Sequence, residues 1–290
     1  MNEKKIFLFD VPTSAGCLEL GTENTPRHLR SCGLIKNLDE AKVTVTDLGA
    51  IALPELQRHN NPPIRNFPSP RIVWEETASF LGSQKPAGEN EIYLCLGGDC
   101  SIVVGTASGV AQWYDSSKIH VLYLDGDTDS IRPGMEKCVG SAGMGLWFLT
   151  HTSEYWDQFQ MSPAQITVIG NKEESSETSF LTVSLQRLRK TGVRSTIQSV
   201  LERLPSDAVL FVHFDVDVLS QSEMPAAYMP REQGLSFSEI QTALNLILND
   251  SRLAFLEITE FVPQKDLEKR YGSMIVNTLS RCLSRDADSI

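Results

Sequence analysis

The chain has 290 residues, 41% of them hydrophobic and 22% charged, an ordinary balance for a globular protein with a large buried core. A formal net charge of −11, from 26 basic against 37 acidic residues with no basic patch, argues against nucleic acid or an anionic membrane as a partner. No stretch approaches about 20 uninterrupted apolar residues, so no membrane span is expected. The six cysteines (Cys17, Cys32, Cys95, Cys100, Cys138, Cys282) show no short paired spacing. They are expected as free thiols in a reducing cytoplasm rather than as a disulfide framework. Two domains are possible by length, but α/β folds of this size are routinely single, so one domain over 1–290 is expected.

Ile6–Val11 reads as an opening strand, too short in its apolar run for a signal peptide. Pro26–Ser31 starts a helix with proline in its first turn, and Val43–Asp47 alternates as a second strand. Ile51–Pro70 carries Pro54, Pro62, Pro63, Pro68 and Pro70, which predicts a long surface loop. A helix over Ile72–Leu81 then leads to a strand at Glu91–Leu96. Ile102–Tyr114 suits a helix, Val121–Asp125 a strand, and Ser130–Gly145 a Gly- and Ser-rich loop beside a site. Gln165–Gly170 reads as a strand, Leu181–Thr191 and Ser195–Leu204 as helices, and Val209–Phe214 as a strand. Ser236–Asn249 is an amphipathic helix with Ser236 or Ser238 as N-cap and Glu239 in its first turn. Leu253–Ile258 is the last strand and Lys269–Leu283 the closing helix. Strands alternating with helices predict a three-layer α/β/α fold around a central, mostly parallel, doubly wound sheet.

Three of the apolar strands end in potential metal ligands. Val121–Leu124 runs into Asp125, Asp127 and Asp129, and Glu91–Leu96 into Gly97-Gly98-Asp99-Cys100-Ser101. Val209–Phe214 runs into Asp215-Val216-Asp217. Near-continuous apolar runs mark strands buried on both faces, and in such sheets ligands gather beyond the carboxyl ends of the strands. Crowded carboxylates repel unless a cation lies among them. The Asp125–Asp129 stretch alone is equally compatible with a solvated acidic turn; three strands delivering such groups at one end favour a divalent ion.

The ordered set of segments resembles the ureohydrolase (arginase and agmatinase) family. It comprises Leu20–Leu34 (LGTENTPRHLRSCGL), the GGDCS segment, the Asp125–Asp129 stretch, FDVD at Phe214–Asp217, GLSF at Gly234–Phe237, and Phe255–Pro263 (FLEITEFVP). The resemblance implies an arginase-like fold and two metal ions about 3.5 Å apart. One ion would take Cys100, Asp125, Asp129 and Asp215, and the other Asp125, Asp127, Asp215 and Asp217, with Asp125 and Asp215 bridging. It further implies hydrolysis of a linear C–N bond in a guanidino- or amidino-type small molecule by a metal-bridging hydroxide. Asp129 and Glu260 would be the catalytic carboxylates, Glu260 holding the guanidinium. Oxygen-rich coordination favours Mn²⁺, while the Cys100 thiolate would admit Fe²⁺ or Zn²⁺.

The chain departs from the family pattern where histidines are usual. Cys100 and Asp127 replace two histidine ligands, and Ala142 stands at the position of a proton-shuttling histidine. Of His28, His59, His120, His151 and His213, none falls at a family ligand position. His213 is expected to point away from the strand-end aspartates as a core residue. Glu257 replaces an aspartate, Ile131 stands near an expected asparagine, and Asn171-Lys172-Glu173 replaces an Arg-Asp pattern. With a thiolate and a fifth aspartate the site is about two charges more negative than the family's, which raises the pKa of a bound water. Cys100 and the loss of the shuttle resemble the branch that hydrolyses Nω-hydroxyarginine, a guanidine largely neutral near pH 7, and arginine itself is disfavoured. A catalytically weak or inactive metal-binding relative is the alternative, and an enzyme built on a single redox-active Fe a third. A short polar tail at Ser284–Ile290 leaves no long arm for trimerisation, so a monomer or small homo-oligomer is expected.

Overall fold

The computed structural model describes residues 4–171 and 179–284. Among these, β1 (Lys5–Asp10), β2 (Thr44–Ala50), β3 (Glu91–Leu96), β4 (Ile119–Leu124), β5 (Ile166–Ile169), β6 (Leu181–Val183), β7 (Val209–Asp215) and β8 (Leu253–Thr259) form one sheet. Its order is β2-β1-β3-β8-β7-β4-β5-β6, and every neighbouring pair is parallel. The helices are α1 (Thr25–Ser31), α2 (Leu34–Glu40), α3 (Ser69–Gly82), α4 (Ile102–Val110), α5 (Gly145–Thr150), α6 (Leu185–Thr191), α7 (Val193–Arg203), α8 (Phe237–Ile247) and α9 (Arg270–Leu283).

Strand alternation divides the core. In β1, Ile6 and Leu8 join the apolar layer that contains Leu29, Leu34, Ile197, Ile240 and Ile275 of α1, α2, α7, α8 and α9. Phe7 and Phe9 turn to the other layer, with Trp74 of α3, Val103 of α4 and Phe148 of α5. Successive side chains point to opposite faces, so a strand covered by helices on both sides must be apolar throughout. That is the expected three-layer α/β/α arrangement.

The helix α8 begins as the sequence predicts. Ser236 Oγ accepts from the Glu239 backbone N–H at 3.2 Å, and Glu239 Oε2 accepts from the Ser236 N–H at 2.8 Å. Elsewhere the boundaries move. The helix expected over Leu181–Thr191 is corrected: Leu181–Val183 is the edge strand β6, pairing with β5, and the helix starts at Leu185 after Ser184 caps it. A β-branched pair (Thr182, Val183) and an N-capping serine explain the break. Helix α3 begins at Ser69, so Pro70 sits in its first turn, where a missing N–H is harmless. The helices α2 and α5 were not foreseen. All six cysteines lie among the described residues and none is paired. No described helix is long and apolar enough to cross a membrane. Lys172, Glu173 and the tail beyond Ser284 lie outside the described residues.

Candidate metal centre and active site

The four central strands β3, β8, β7 and β4 are consecutive in the sheet. Their carboxyl ends therefore meet at one place, and each delivers a polar group there. The turn after β3 supplies Asp99 and Cys100, the end of β8 Thr259 and Glu260, the end of β7 Asp215 and Asp217, and the loop after β4 Asp125, Asp127 and Asp129. The register puts Asp215 opposite Thr259. One step back along the strands, Tyr123 pairs with His213 and His213 with Glu257. That polar row forms a floor beneath the site, above an apolar layer in which the Phe211 and Phe255 rings stack 4.7 Å apart.

Backbone amides orient the carboxylates. Asp125 Oδ1 accepts from the Asp127 N–H at 2.5 Å, and Asp215 Oδ1 from the Asp217 N–H at 2.6 Å. Asp217 Oδ1 accepts from the Gly126 N–H at 3.1 Å, tying the β4 and β7 loops together. Asp129 adopts a left-handed backbone, φ 41°, and its Oδ2 accepts from Tyr123 Oη at 2.6 Å. The Cys100 thiol donates to Asp215 Oδ2 at 2.9 Å, and the Cys100 N–H donates to Glu260 Oε1 at 2.8 Å. Behind them, Asp99 accepts from the Gly16 N–H at 2.9 Å and from Ser101 Oγ at 2.5 Å. A Cβ at Gly16 would strike that carboxylate, so this close approach requires glycine.

Burial dominates the electrostatics. It pushes the carboxyl groups of Asp125, Asp215 and Glu260 well above the usual range. The charges of Asp129, Asp215 and Asp217 add to the effect on Asp125, and those of Asp217 and Glu260 to the effect on Asp215. Burial raises Asp129 to about 7, against the hydrogen bond from Tyr123. The Cys100 thiol is pushed up by burial and then by Asp215. Such a set is stable as anions only with a cation among them.

Part of the cluster, Cys100, Asp129, Asp215, Asp217 and Glu260, lines a cavity of about 490 Å³ whose walls also include Ile131 and Ala142. Two groups of donor atoms come within 4.8 Å of one another: Cys100, Asp125 and His213, and Asp125, Asp215 and Asp217. Asp125 is common to both, and its Oδ2 is buried without a hydrogen-bond partner.

The Arginase family model matches residues 4–284. The chain belongs to the arginase family. It is 25% identical to the hepatic arginase of Aquarana catesbeiana over 303 residues, covering 95% of this chain and 90% of the frog enzyme. The fold is similar to that of Entamoeba histolytica arginase, with a TM-score of 0.86 at 18% identity, covering 98% of this chain and 99% of that one. It also resembles the formimidoylglutamase of Bacillus subtilis, with a TM-score of 0.76 at 18% identity over 98% and 87% of the two chains.

Arginase-family enzymes generally use a dinuclear manganese centre, and the donor set here fits a cation: Asp125, Asp215 and Asp217 bring carboxylate oxygens within 4.8 Å of one another, and the buried Asp125 Oδ2 has no hydrogen-bond partner. Of the sequence-predicted ligands, Cys100, Asp125, Asp215 and Asp217 fall in the two donor groups. Asp129 is adjacent, held by Tyr123. Asp127 lies apart: its carboxylate, 46% exposed, pairs with the guanidinium of Arg231. Ala142 and Ile131 line the cavity as expected.

The expected direction of His213 is corrected, while its place in the core, paired with Glu257, is as expected. Residues 213 and 215 share a face of β7 because the strand period is two. His213 Nε2 therefore lies 3.3 Å from Cys100 Sγ, while Nδ1 lies 2.6 Å from Glu257 Oε1. Sequence reasoning also missed Tyr123 and Arg231. Tyr123, a polar-tipped residue two positions before Asp125 in an apolar strand, carried a readable signal; Arg231, in the loop after β7, carried none.

Proposed function

We propose that the chain is a metal-dependent hydrolase that cleaves the linear C–N bond of a guanidino- or amidino-type compound of low basicity, such as Nω-hydroxyarginine, with arginine disfavoured. The observation that carries the reading is the meeting of Asp125, Asp215 and Asp217, of which Asp215 and Asp217 line the cavity and Asp125 is buried with one oxygen lacking a hydrogen-bond partner. Bound divalent ions, Mn²⁺ in the family pattern, would supply Lewis acidity for attack of water on the amidine carbon. Asp125, Asp129, Asp215, Asp217 and Cys100 would hold them, with Asp127 completing the set on turning from Arg231.

Glu260 would receive the amidine N–H groups. Its carboxylate is fixed by the Cys100 N–H, and its backbone takes φ 63°, which turns the side chain from the strand end into the cavity wall. Asp129 lies at the cavity wall with one oxygen held by Tyr123, so its other oxygen can exchange a proton with the leaving amine. Water adds to the guanidine or amidine carbon, the bond to the alkyl nitrogen breaks, and the amine leaves carrying a proton from that water; the carbon becomes the carbonyl of a urea or hydroxyurea from a guanidine, or of an amide from an amidine. Ala142 and Ile131 offer no proton and no clasp for an amino-acid end, which favours a substrate needing little proton assistance. The unpaired cysteines suit a cytoplasmic enzyme.

The pairing of Asp127 with Arg231 favours a second reading, a relative that binds a single ion and is weakly active or inactive. Metal analysis together with hydrolysis assays on Mn-loaded protein separates the two. Two ions per chain and faster turnover of Nω-hydroxyarginine than of arginine or agmatine support the first. One ion or none, with no turnover of any of the three, supports the second.

A further inference from the structure

We propose that His213 is a metal ligand, and that Cys100, Asp125 and His213 form a compact sulfur–nitrogen–oxygen site preferring Zn²⁺, Fe²⁺ or Co²⁺ to Mn²⁺. This rests on the metal-dependent reading of the same cluster and assigns its innermost position. The three donor atoms lie within 4.8 Å of one another, on fully buried side chains. The separation of His213 Nε2 from Cys100 Sγ is 3.3 Å. Around a tetrahedral ion with metal–sulfur and metal–nitrogen bonds of about 2.3 and 2.0 Å, those donors lie roughly 3.5 Å apart. The third corner is a carboxylate oxygen of Asp125.

The imidazole is held as a ligand needs to be held. Glu257 Oε1 lies 2.6 Å from Nδ1, and Glu257 Oε2 accepts from Thr106 Oγ1 at 2.7 Å. A carboxylate at Nδ1 keeps the proton there and leaves the Nε2 lone pair facing Cys100 and Asp125. The ring cannot swing, because it stacks on Tyr123 with centroids 4.0 Å apart and planes within 4°. Thr259 Oγ1, 3.2 Å from Nε2, is the remaining polar neighbour on that side. Core packing alone would be met by the pair with Glu257; it does not require Nε2 to come within reach of a thiol and a second carboxylate. Thiolate and imidazole donors select borderline ions over Mn²⁺, which prefers oxygen. All five histidines lie among the described residues, and His213 is the one among them that belongs to such a donor group.

The test is titration of the full-length protein with Co²⁺, followed by absorption, in wild type, Cys100→Ser and His213→Asn. Asparagine keeps a donor for Glu257 and removes Nε2. Wild type is expected to show a thiolate-to-cobalt charge-transfer band, lost in Cys100→Ser, and His213→Asn to bind at least tenfold more weakly with altered visible bands. Zinc X-ray absorption on wild-type protein, which stands even where a variant fails to fold, should show one sulfur and one imidazole. Wild-type affinity and unchanged bands in His213→Asn, or zinc without imidazole, would overturn the assignment while leaving the metal-dependent reading intact. Ready displacement of Co²⁺ by equimolar Mn²⁺ would overturn the stated preference. A wild-type protein that binds none of these ions would overturn the metal-dependent reading itself.

Discussion

Arg231 and Asp127 are ion-paired in the cavity wall, and the same guanidinium brings its Nε to 3.8 Å from Asp217 Oδ2. A cation of the chain itself thus stands beside the two carboxylates that the outer metal position would use. Metal entry there has to displace it. Half-exposed ion pairs are worth up to about 1 kcal/mol, so removing the competitor should strengthen Mn²⁺ binding at that position by up to about fivefold. Equilibrium dialysis of Arg231→Gln against wild type measures this. Unchanged or weaker binding of the second ion would mean that Arg231 does not compete.

Asp215 and Asp217 should separate in metal analysis although they are two residues apart. Asp215 touches Cys100, whereas Asp217 faces the Gly126 amide and Arg231. Asp215→Asn is expected to empty both positions and Asp217→Asn one. Two tightly held ions in Asp215→Asn would remove Asp215 from the ligand set.

Tyr123→Phe tests the floor of the site. The phenol donates to Asp129 at 2.6 Å from a fully buried position. A hydrogen bond to a charged group contributes about 1.5–3 kcal/mol, and loss of a partner that orients a ligand weakens metal binding about 10- to 100-fold. Thermal melting and metal titration of the variant should show both losses. A metal affinity equal to wild type would leave Tyr123 with a packing role alone.

How much of this was legible in the sequence follows from what local pattern can encode. The central strands were readable because burial on both faces leaves an apolar run, and the aspartates were readable because they interrupt those runs. The edge strand β6 was not: Leu181–Val183 has one neighbour and three residues, and its apolar character merges with that of α6. Helix α2 buries Leu34 and Leu38 alone among its seven residues, too few to show a period. The row Tyr123–His213–Glu257 depends on the register between β4, β7 and β8, three strands far apart in sequence. Its one local clue was alternation, which places His213 and Asp215 on the same face. Arg231 reaches Asp127 across a loop, a relation no spacing rule carries.

Metal-free protein should lose stability as pH rises, which is opposite to the behaviour of a protein held by paired carboxylates. Burial raises Asp125, Asp215 and Glu260 well above their ordinary values, and Asp129 to about 7. Between the ordinary carboxylate range and those raised values the folded chain keeps protons that the unfolded chain has released. The unfolded state then binds fewer protons, so the slope of unfolding free energy with pH is negative. The stabilisation is complete below about pH 4 and is lost as pH climbs, through about 7 for Asp129 and higher for the others. Metal reverses the sign, because its ligands must be ionised to bind. At a free concentration a hundredfold above Kd one ion adds about 2.7 kcal/mol, or roughly 5 °C in Tm. Melting of chelator-treated protein from pH 5 to 8.5, with and without Mn²⁺ or Zn²⁺, is the measurement. The expected result is a Tm that falls with pH for the metal-free protein, and a gap between the two curves that widens with pH. A metal-free Tm that rises from pH 5 to 8 would mean that these carboxylates are ionised in the folded protein without a bound cation.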